Sequence, residues 1–220
     1  MVERSITLSH ELGDDSFLFQ RLTGSEELGR LFRFDLDLLS ERRDIDLVDL
    51  LGKGITVSLA LEGDVRHFHG LIAHAAYLGS DGIYSRYQLQ LVPWLWFLGR
   101  RRDCRIFQQL TVPDIVKSVF ESWPIADFEL KLDETYPVRE YCVQYRESDL
   151  DFVCRLLEDE GIYFFHRHQA GAHKLILADG ETAHELGPGC ARIPYFEPDL
   201  PARRERDHIF TWLAQADVRA

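Results

Sequence analysis

Residues 31–39 read Leu31-Phe32-Arg33-Phe34-Asp35-Leu36-Asp37-Leu38-Leu39. Phe32, Phe34, Leu36 and Leu38 recur at every second position, with Arg33, Asp35 and Asp37 between them. Alternate side chains of a strand point to opposite faces, so the stretch predicts a strand of a sheet with one dry face and one wet face. The same period extends outward. Ser16 to Leu22 precedes it across the turn-prone Gly24-Ser25 and Gly29. Ile55 to Leu61 alternates again, with Ile55, Val57, Leu59 and Leu61 sharing a face. Gly63-Asp64 turns the chain, Val65 to Tyr77 returns, Ser80-Asp81-Gly82 turns it once more, and Ile83 to Val92 runs out to Pro93. A short helix from Leu47 to Leu51, with Asp46 at its N-terminus and Gly52 as its stop, interrupts the series. Short strands joined by turns predict a barrel or sandwich over the first hundred residues.

The middle of the chain changes period. Thr111-Val112-Pro113-Asp114 opens a helix, because Thr111 can cap, Asp114 sits at the capping-box position and Pro113 fits the first turn. Ile115, Val116, Val119 and Phe120 form its apolar stripe, and Pro124 follows its end. The opening recurs at Ser148-Asp149-Leu150-Asp151, with a stripe of Leu150, Val153, Leu156 and Leu157 and a stop at Gly161. Strands return at Ile162 to His168 and Lys174 to Asp179, around a hairpin at Ala170-Gly171-Ala172. Beyond Gly187 the periodicity fades among Pro188, Pro194, Pro198 and Pro201, with one further strand-like piece from Asp207 to Trp212. The fold class is therefore β-rich α+β, with two helices beside the strands.

The 220 residues carry 45% apolar and 28% charged side chains, ordinary for a globular chain that buries a core of its own. Lysine and arginine total 25 against 37 aspartate and glutamate, a net charge of −12. Such a surface repels phosphate backbones, and the arginine clusters Arg100-Arg101-Arg102 and Arg203-Arg204 with Arg206 are short, so no nucleic-acid partner is expected. No run approaches the length of a membrane-spanning helix. Met1-Val2-Glu3-Arg4-Ser5 lacks the basic and apolar character of a secretory signal, so export without a cleavable signal is expected. Cys104, Cys142, Cys154 and Cys190 form no CxxC pair and are expected to be buried free thiols rather than a zinc site.

One pattern occurs twice. His67, His69 and His74 are spaced as HxHx4H, and so are His166, His168 and His173. Residues i and i+2 of a strand share a face, so each HxH pair could grip a metal ion, and with a base such as Glu62 this would make a metal-dependent hydrolase. The plainer expectation is that His67 and His69 lie on a solvated face with Phe68 inside. No serine elbow, His-Glu-x-x-His or phosphate loop accompanies them, so no catalytic residue, cofactor or metal is assigned and the chain is expected not to be an enzyme. Glu158-Asp159-Glu160 reads as a solvated helix end rather than an acid–base pair. Pro93-Trp94-Leu95-Trp96-Phe97-Leu98 reads as packing, with an exposed partner contact or sugar platform as the alternatives.

Several strings carry a resemblance. Arg66-His67-Phe68-His69-Gly70, Leu91-Val92-Pro93-Trp94-Leu95-Trp96, Cys104-Arg105-Ile106-Phe107-Gln108 and Tyr141-Cys142-Val143-Gln144-Tyr145-Arg146-Glu147-Ser148-Asp149 occur in order. They run on into Asp151-Phe152-Val153 and Arg155-Leu156-Leu157-Glu158-Asp159-Glu160-Gly161-Ile162-Tyr163-Phe164. The series resembles the N-terminal hub region of the VgrG spike proteins of type VI secretion systems, over roughly residues 5–180. The resemblance implies a phage-hub-like fold of barrel domains. It implies a first barrel-like domain over 1–99, a helical connecting segment over 100–161, and part of a second, incomplete barrel-like domain over 162–220. It also implies a homotrimer in the full-length protein, seated on the hexameric Hcp tube and meeting baseplate and effector proteins. The work would be structural, after cytoplasmic assembly and export by the type VI machine. The later parts of the spike would not fit in 220 residues. Trp94, Trp96 and the helix from Asp149 to Glu160 are its candidate interface residues.

Overall fold

The computed structural model describes residues 5–10, 17–61, 64–185, 194–196, 209 and 211–214. The chain divides into two compact units, Met1–Gly180 and Glu181–Ala220.

Within the first unit, alternation becomes a six-stranded antiparallel sheet. Its strands are β1 (Ile6–His10), β2 (Leu18–Ser25), β3 (Arg33–Ser40), β4 (Gly54–Leu61), β5 (Asp64–Ser80) and β6 (Ser85–Val92), in the spatial order β1-β4-β5-β6-β3-β2. Phe34, Leu36 and Leu38 of β3 stand opposite Leu91, Leu89 and Tyr87 of β6, so their inward side chains meet across the ladder. Register shifts in β5 at Ile72/His74 and Tyr77/Gly79 bend this long strand. The sheet curls until β1 approaches β2. Phe32, Phe34, Leu36, Leu38, Ile55, Val57, Ile72, Leu89 and Leu91 form the core it encloses. The Leu47–Leu51 helix appears as a single 3-10 turn, Val48–Leu50, with the Asp46 carboxylate accepting from the Val48 amide at 2.8 Å.

A second core follows. Trp94–Arg100 winds as a 3-10 helix, then come β7 (Arg102–Leu110), α1 (Val112–Glu121), β8 (Phe128–Lys131), β9 (Arg139–Ser148), α2 (Asp149–Asp159), β10 (Tyr163–Gln169) and β11 (Ala172–Ala178). The α1 capping box forms as read, with Thr111 and Asp114 bonding each other's amides. Ser148 caps α2 through the Asp151 amide, and Gly161 takes the positive φ of 71° that ends it. β10 and β11 pair as a hairpin through Gly171, φ 77°, and β11 pairs in parallel with β8. β7 and β9 form a separate two-stranded ribbon. The stripes of α1 and α2 pack on Trp94, Leu95 and Leu98 with Leu175 and Leu177 of β11.

The second unit holds a 3-10 turn, Glu181–Ala183, and a parallel bridge between Tyr195 and Ile209. That bridge supplies one point of pairing for the strand-like piece read over Asp207–Trp212. Asp207, His208 and Phe210 lie outside the described residues, as do Pro188, Pro198 and Pro201.

Candidate functional site

The two histidine patterns converge. β5 carries His69 and the β10–β11 hairpin carries His166, His168 and His173, and the packing of that hairpin on β5 sets His69 against His173 while the three hairpin histidines surround the ring of Phe32. The Phe32 centroid lies 4.9 Å from His166, 4.8 Å from His168 and 5.4 Å from His173. Two further bonds tie the hairpin to β4 and to the turn between β2 and β3. The Gly171 amide donates to the Thr56 hydroxyl at 3.1 Å, and the Gly29 amide donates to the Phe164 carbonyl at 2.8 Å.

Backbone donors fix the tautomers. The Trp94 amide donates to Nε2 of His173 at 2.9 Å, so His173 holds its proton on Nδ1. That proton is donated to Nδ1 of His69 across 2.8 Å, which leaves the His69 proton on Nε2. The His69 amide donates to Nδ1 of His168 at 3.0 Å, and Nε2–H of His168 donates to the Glu26 carboxylate at 2.7 Å. Every lone pair in this chain of bonds is already occupied by an N–H. Burial disfavours the charged rings, and repulsion from neighbouring histidines adds to it. His69 is held down to about 4, His166 to about 3 and His173 to about 2. His69, His166 and His173 are therefore neutral rings within a hydrogen-bonded seam at ordinary pH.

This arrangement corrects the sequence expectations in two ways. His69 is buried rather than on a solvated face, because the hairpin covers it, and Phe68 beside it is only half-buried. The paired-HxH metal reading also fails on geometry. A ligand nitrogen needs a free lone pair, and those of His69, His168 and His173 accept hydrogen bonds. Among the described residues no group of three or more His, Cys, Asp or Glu is placed to hold a metal ion. His67 stands apart, bonded to the Ser58 hydroxyl at 2.8 Å, and His74 lines an open cleft with Arg33, Gln90, Trp96 and Arg100. Glu62 lies outside the described residues.

The remaining candidates sort by burial. Trp94 is 1% exposed and Leu95 and Leu98 are closed, so the aromatic run is packing, and Trp94 offers no platform for a sugar. Trp96 is half-buried with the Arg100 guanidinium 3.9 Å above its ring. Cys104 is exposed, against the expectation of a buried thiol, since it falls on the outer face of the ribbon. Cys142 is buried, Cys154 is partly so, and Cys190 lies outside the described residues, as do Arg203, Arg204 and Arg206. Glu158 and Asp159 are exposed as read, whereas Glu160 is partly covered and accepts from Arg139 at 2.7 Å.

A second polar centre was not picked out by sequence reasoning. The fully buried Asp149 accepts from Arg101, Arg105, Gln144 and Trp123 at the start of α2. Burial pushes its carboxyl up, but the bonds from Gln144, Trp123 and Arg101 and the charge of Arg105 outweigh that and hold it below the usual range. The quoted motif strings contained Arg105, Gln144 and Asp149. Their mutual contact, across 44 residues of chain, was not readable from them.

Known proteins place this architecture. The type VI secretion system spike proteins VgrG1b and VgrG1a of Pseudomonas aeruginosa are each 45% identical to this chain. They match over 99% and 98% of it, which is 29% and 34% of their own lengths. The chain thus spans about a third of these relatives. The actin cross-linking toxin VgrG1 of Vibrio cholerae is 32% identical over 89% of this chain and 17% of its own. Among solved structures, the E. coli c3393 protein is a type VI secretion component described as similar to the T4 phage tail proteins gp27 and gp5. It superposes with a TM-score of 0.74 and 28% identity over 86% of this chain and 52% of its own. Residues 25–220 match the profile of the phage tail baseplate hub (GPD) family. The fold, the order of motifs and these matches agree that the chain belongs to the phage tail baseplate hub family, as the hub region of a VgrG-type spike protein.

Proposed function

We propose that this chain is a non-enzymatic hub module of a type VI secretion spike, acting as a trimer that seats the spike on the hexameric Hcp tube for the ejection of effectors. The observation that carries the reading is the 45% identity to spike proteins along nearly the whole chain. Within this reading residues 1–99 form the first barrel-like domain, 100–161 the connecting helical segment and 162–220 part of a second barrel. Assembly takes place in the cytoplasm and export follows through the machine itself. Among the described residues, no helix is long and apolar enough to cross a membrane.

A trimer needs an exposed apolar surface on each subunit. Trp94 and the stripe of α2 are spent inside their own core, so they do not supply it. The outer face of the β7–β9 ribbon fits better. Ile106, Tyr141 and Tyr145 are 61%, 55% and 64% exposed there, with Cys104 and Val143 between them. Light scattering behind size exclusion is expected to give three times 25.6 kDa. The double variant I106D/Y145D is expected to give the monomer at unchanged melting temperature. A monomer at every concentration would remove trimerisation from these residues. Failure of the wild-type chain to retain purified Hcp hexamers would remove the seating role.

A further inference from the structure

We propose that the four-histidine cluster is an acid-sensitive latch, whose protonation releases the β10–β11 hairpin from β4 and β5 while both hydrophobic cores stay folded. The inference stands independently of the spike reading, because it rests on the geometry of the seam. Each accepting nitrogen in the chain of bonds faces an N–H. Protonating Nε2 of His173 sets a positive N–H against the Trp94 amide, and protonating Nδ1 of His168 does the same against the His69 amide. A proton on Nδ1 of His69 confronts the Nδ1–H of His173. His166 is packed against Phe32 and Phe164, with its Nε2 buried and unpartnered. None of these rings can gain a proton in place without losing a bond or burying a charge.

The surroundings offer little compensation. Glu26, from the segment after β2, is the carboxylate that reaches the cluster, and it is bonded to His168 and shared with Arg66 of β5 at 3.6 Å. Glu27 and Arg30 of the same segment border His166 across a shallow cleft of about 240 Å³. On β5, His67 turns to Ser58. On β10, Arg167 reaches over the ring of Phe165, while Lys174 of β11 pairs with Asp127. β4 contributes the uncharged Thr56, and the start of the Trp94–Arg100 helix contributes only the Trp94 amide.

The sign follows from linkage. The closed seam holds His69, His166 and His173 well below the 6.5 of an exposed histidine, so opening takes up protons. The closed form therefore keeps its full advantage above pH 6.5 and loses it as pH falls from there, down to about 4 for the share of His69 and lower still for those of His166 and His173. In the upper part of that window, carboxylates such as Asp149 are still ionised.

Amide hydrogen exchange by NMR on the 220-residue chain tests this, because the Trp94 and His69 amides are themselves the donors into the cluster. Between pH 7 and pH 5, after correction for intrinsic exchange, their protection is expected to fall by at least about thirtyfold. Leu36 in β3, Leu89 in β6 and Val119 in α1 are expected to change by less than about threefold. In His173→Gln the amide oxygen can still accept from the Trp94 N–H but does not titrate, and the fall at Trp94 should shrink about tenfold or more. Protection that falls equally at all five amides, or that does not fall at Trp94 and His69, overturns the latch. That comparison is made on the wild-type chain, so it decides the matter even if the variant does not fold. A folded His173→Gln with the wild-type pH dependence at both amides would overturn it as well.

Discussion

Asp149 shows what a single charge does in a closed space. It is fully buried, yet two arginines, a glutamine and an indole N–H all point at it, so the cost of burying a carboxylate is met by bonds that a neutral side chain could not accept. Asp149→Asn keeps the volume but leaves the Arg101 and Arg105 charges facing an amide. The expected loss is about 3 kcal/mol, a melting temperature lower by roughly 6–12 °C in a chain of this size. Calorimetry at pH 7 checks it, and a drop under 2 °C would mean that the arginines find water instead. The sequence could not announce this residue. An aspartate in the first turn of a helix reads as a favourable dipole partner whether or not anything is packed around it. Burial and convergence are properties of the fold, whereas composition and spacing are local.

At the scale of elements the reading from sequence fared according to how local each signal was. The β3 alternation, both helix caps and the Gly161 and Gly171 turns depend on neighbours within a few residues, and all were legible. The convergence of the two HxHx4H patterns depends on strand β5 meeting the β10–β11 hairpin about a hundred residues later, so they were read as two separate sites. Glu26, Phe32 and Thr56, which complete the seam, carried no signal that set them apart from ordinary strand and loop residues. Gly54 belongs with them. A Cβ there would stand 2.8 Å from Nε2 of His69, which explains why β4 opens with a residue that has no side chain. Gly54→Ala should push the imidazole off its bond to His173 and cost about 1–3 kcal/mol, with the β4 backbone otherwise undisturbed. Denaturant unfolding gives the cost, and the displaced histidine ring-proton resonances give the cause. Unchanged ring resonances would show that the seam has slack at this point.

On the scale of the first unit, two cores must behave as one body, and few contacts are available to make them do so. Phe32 is central among these, since it belongs to the sheet core, stacks on Phe34 at 4.8 Å and carries three histidines of the hairpin on its other sides. If cooperativity passes through this ring, shortening it should weaken the coupling more than it weakens either core. Trp94 and Trp123 lie in or against the second core, Trp96 lines a cleft with Arg33, His74 and Gln90 of the sheet, and Trp212 is 72% exposed, so in a Trp96→Phe background changes in tryptophan emission report that core. Far-UV circular dichroism reports the six-stranded sheet as well. With Phe32 in place the two probes should unfold together in guanidinium, as one transition. Phe32→Ala should cost about 3–5 kcal/mol and split them, with the sheet signal lost at lower denaturant than the tryptophan signal. If the variant is destabilised by that amount but the probes still coincide, the two cores are coupled along the backbone or through the bonds from Gly29 and Gly171, and Phe32 contributes packing alone.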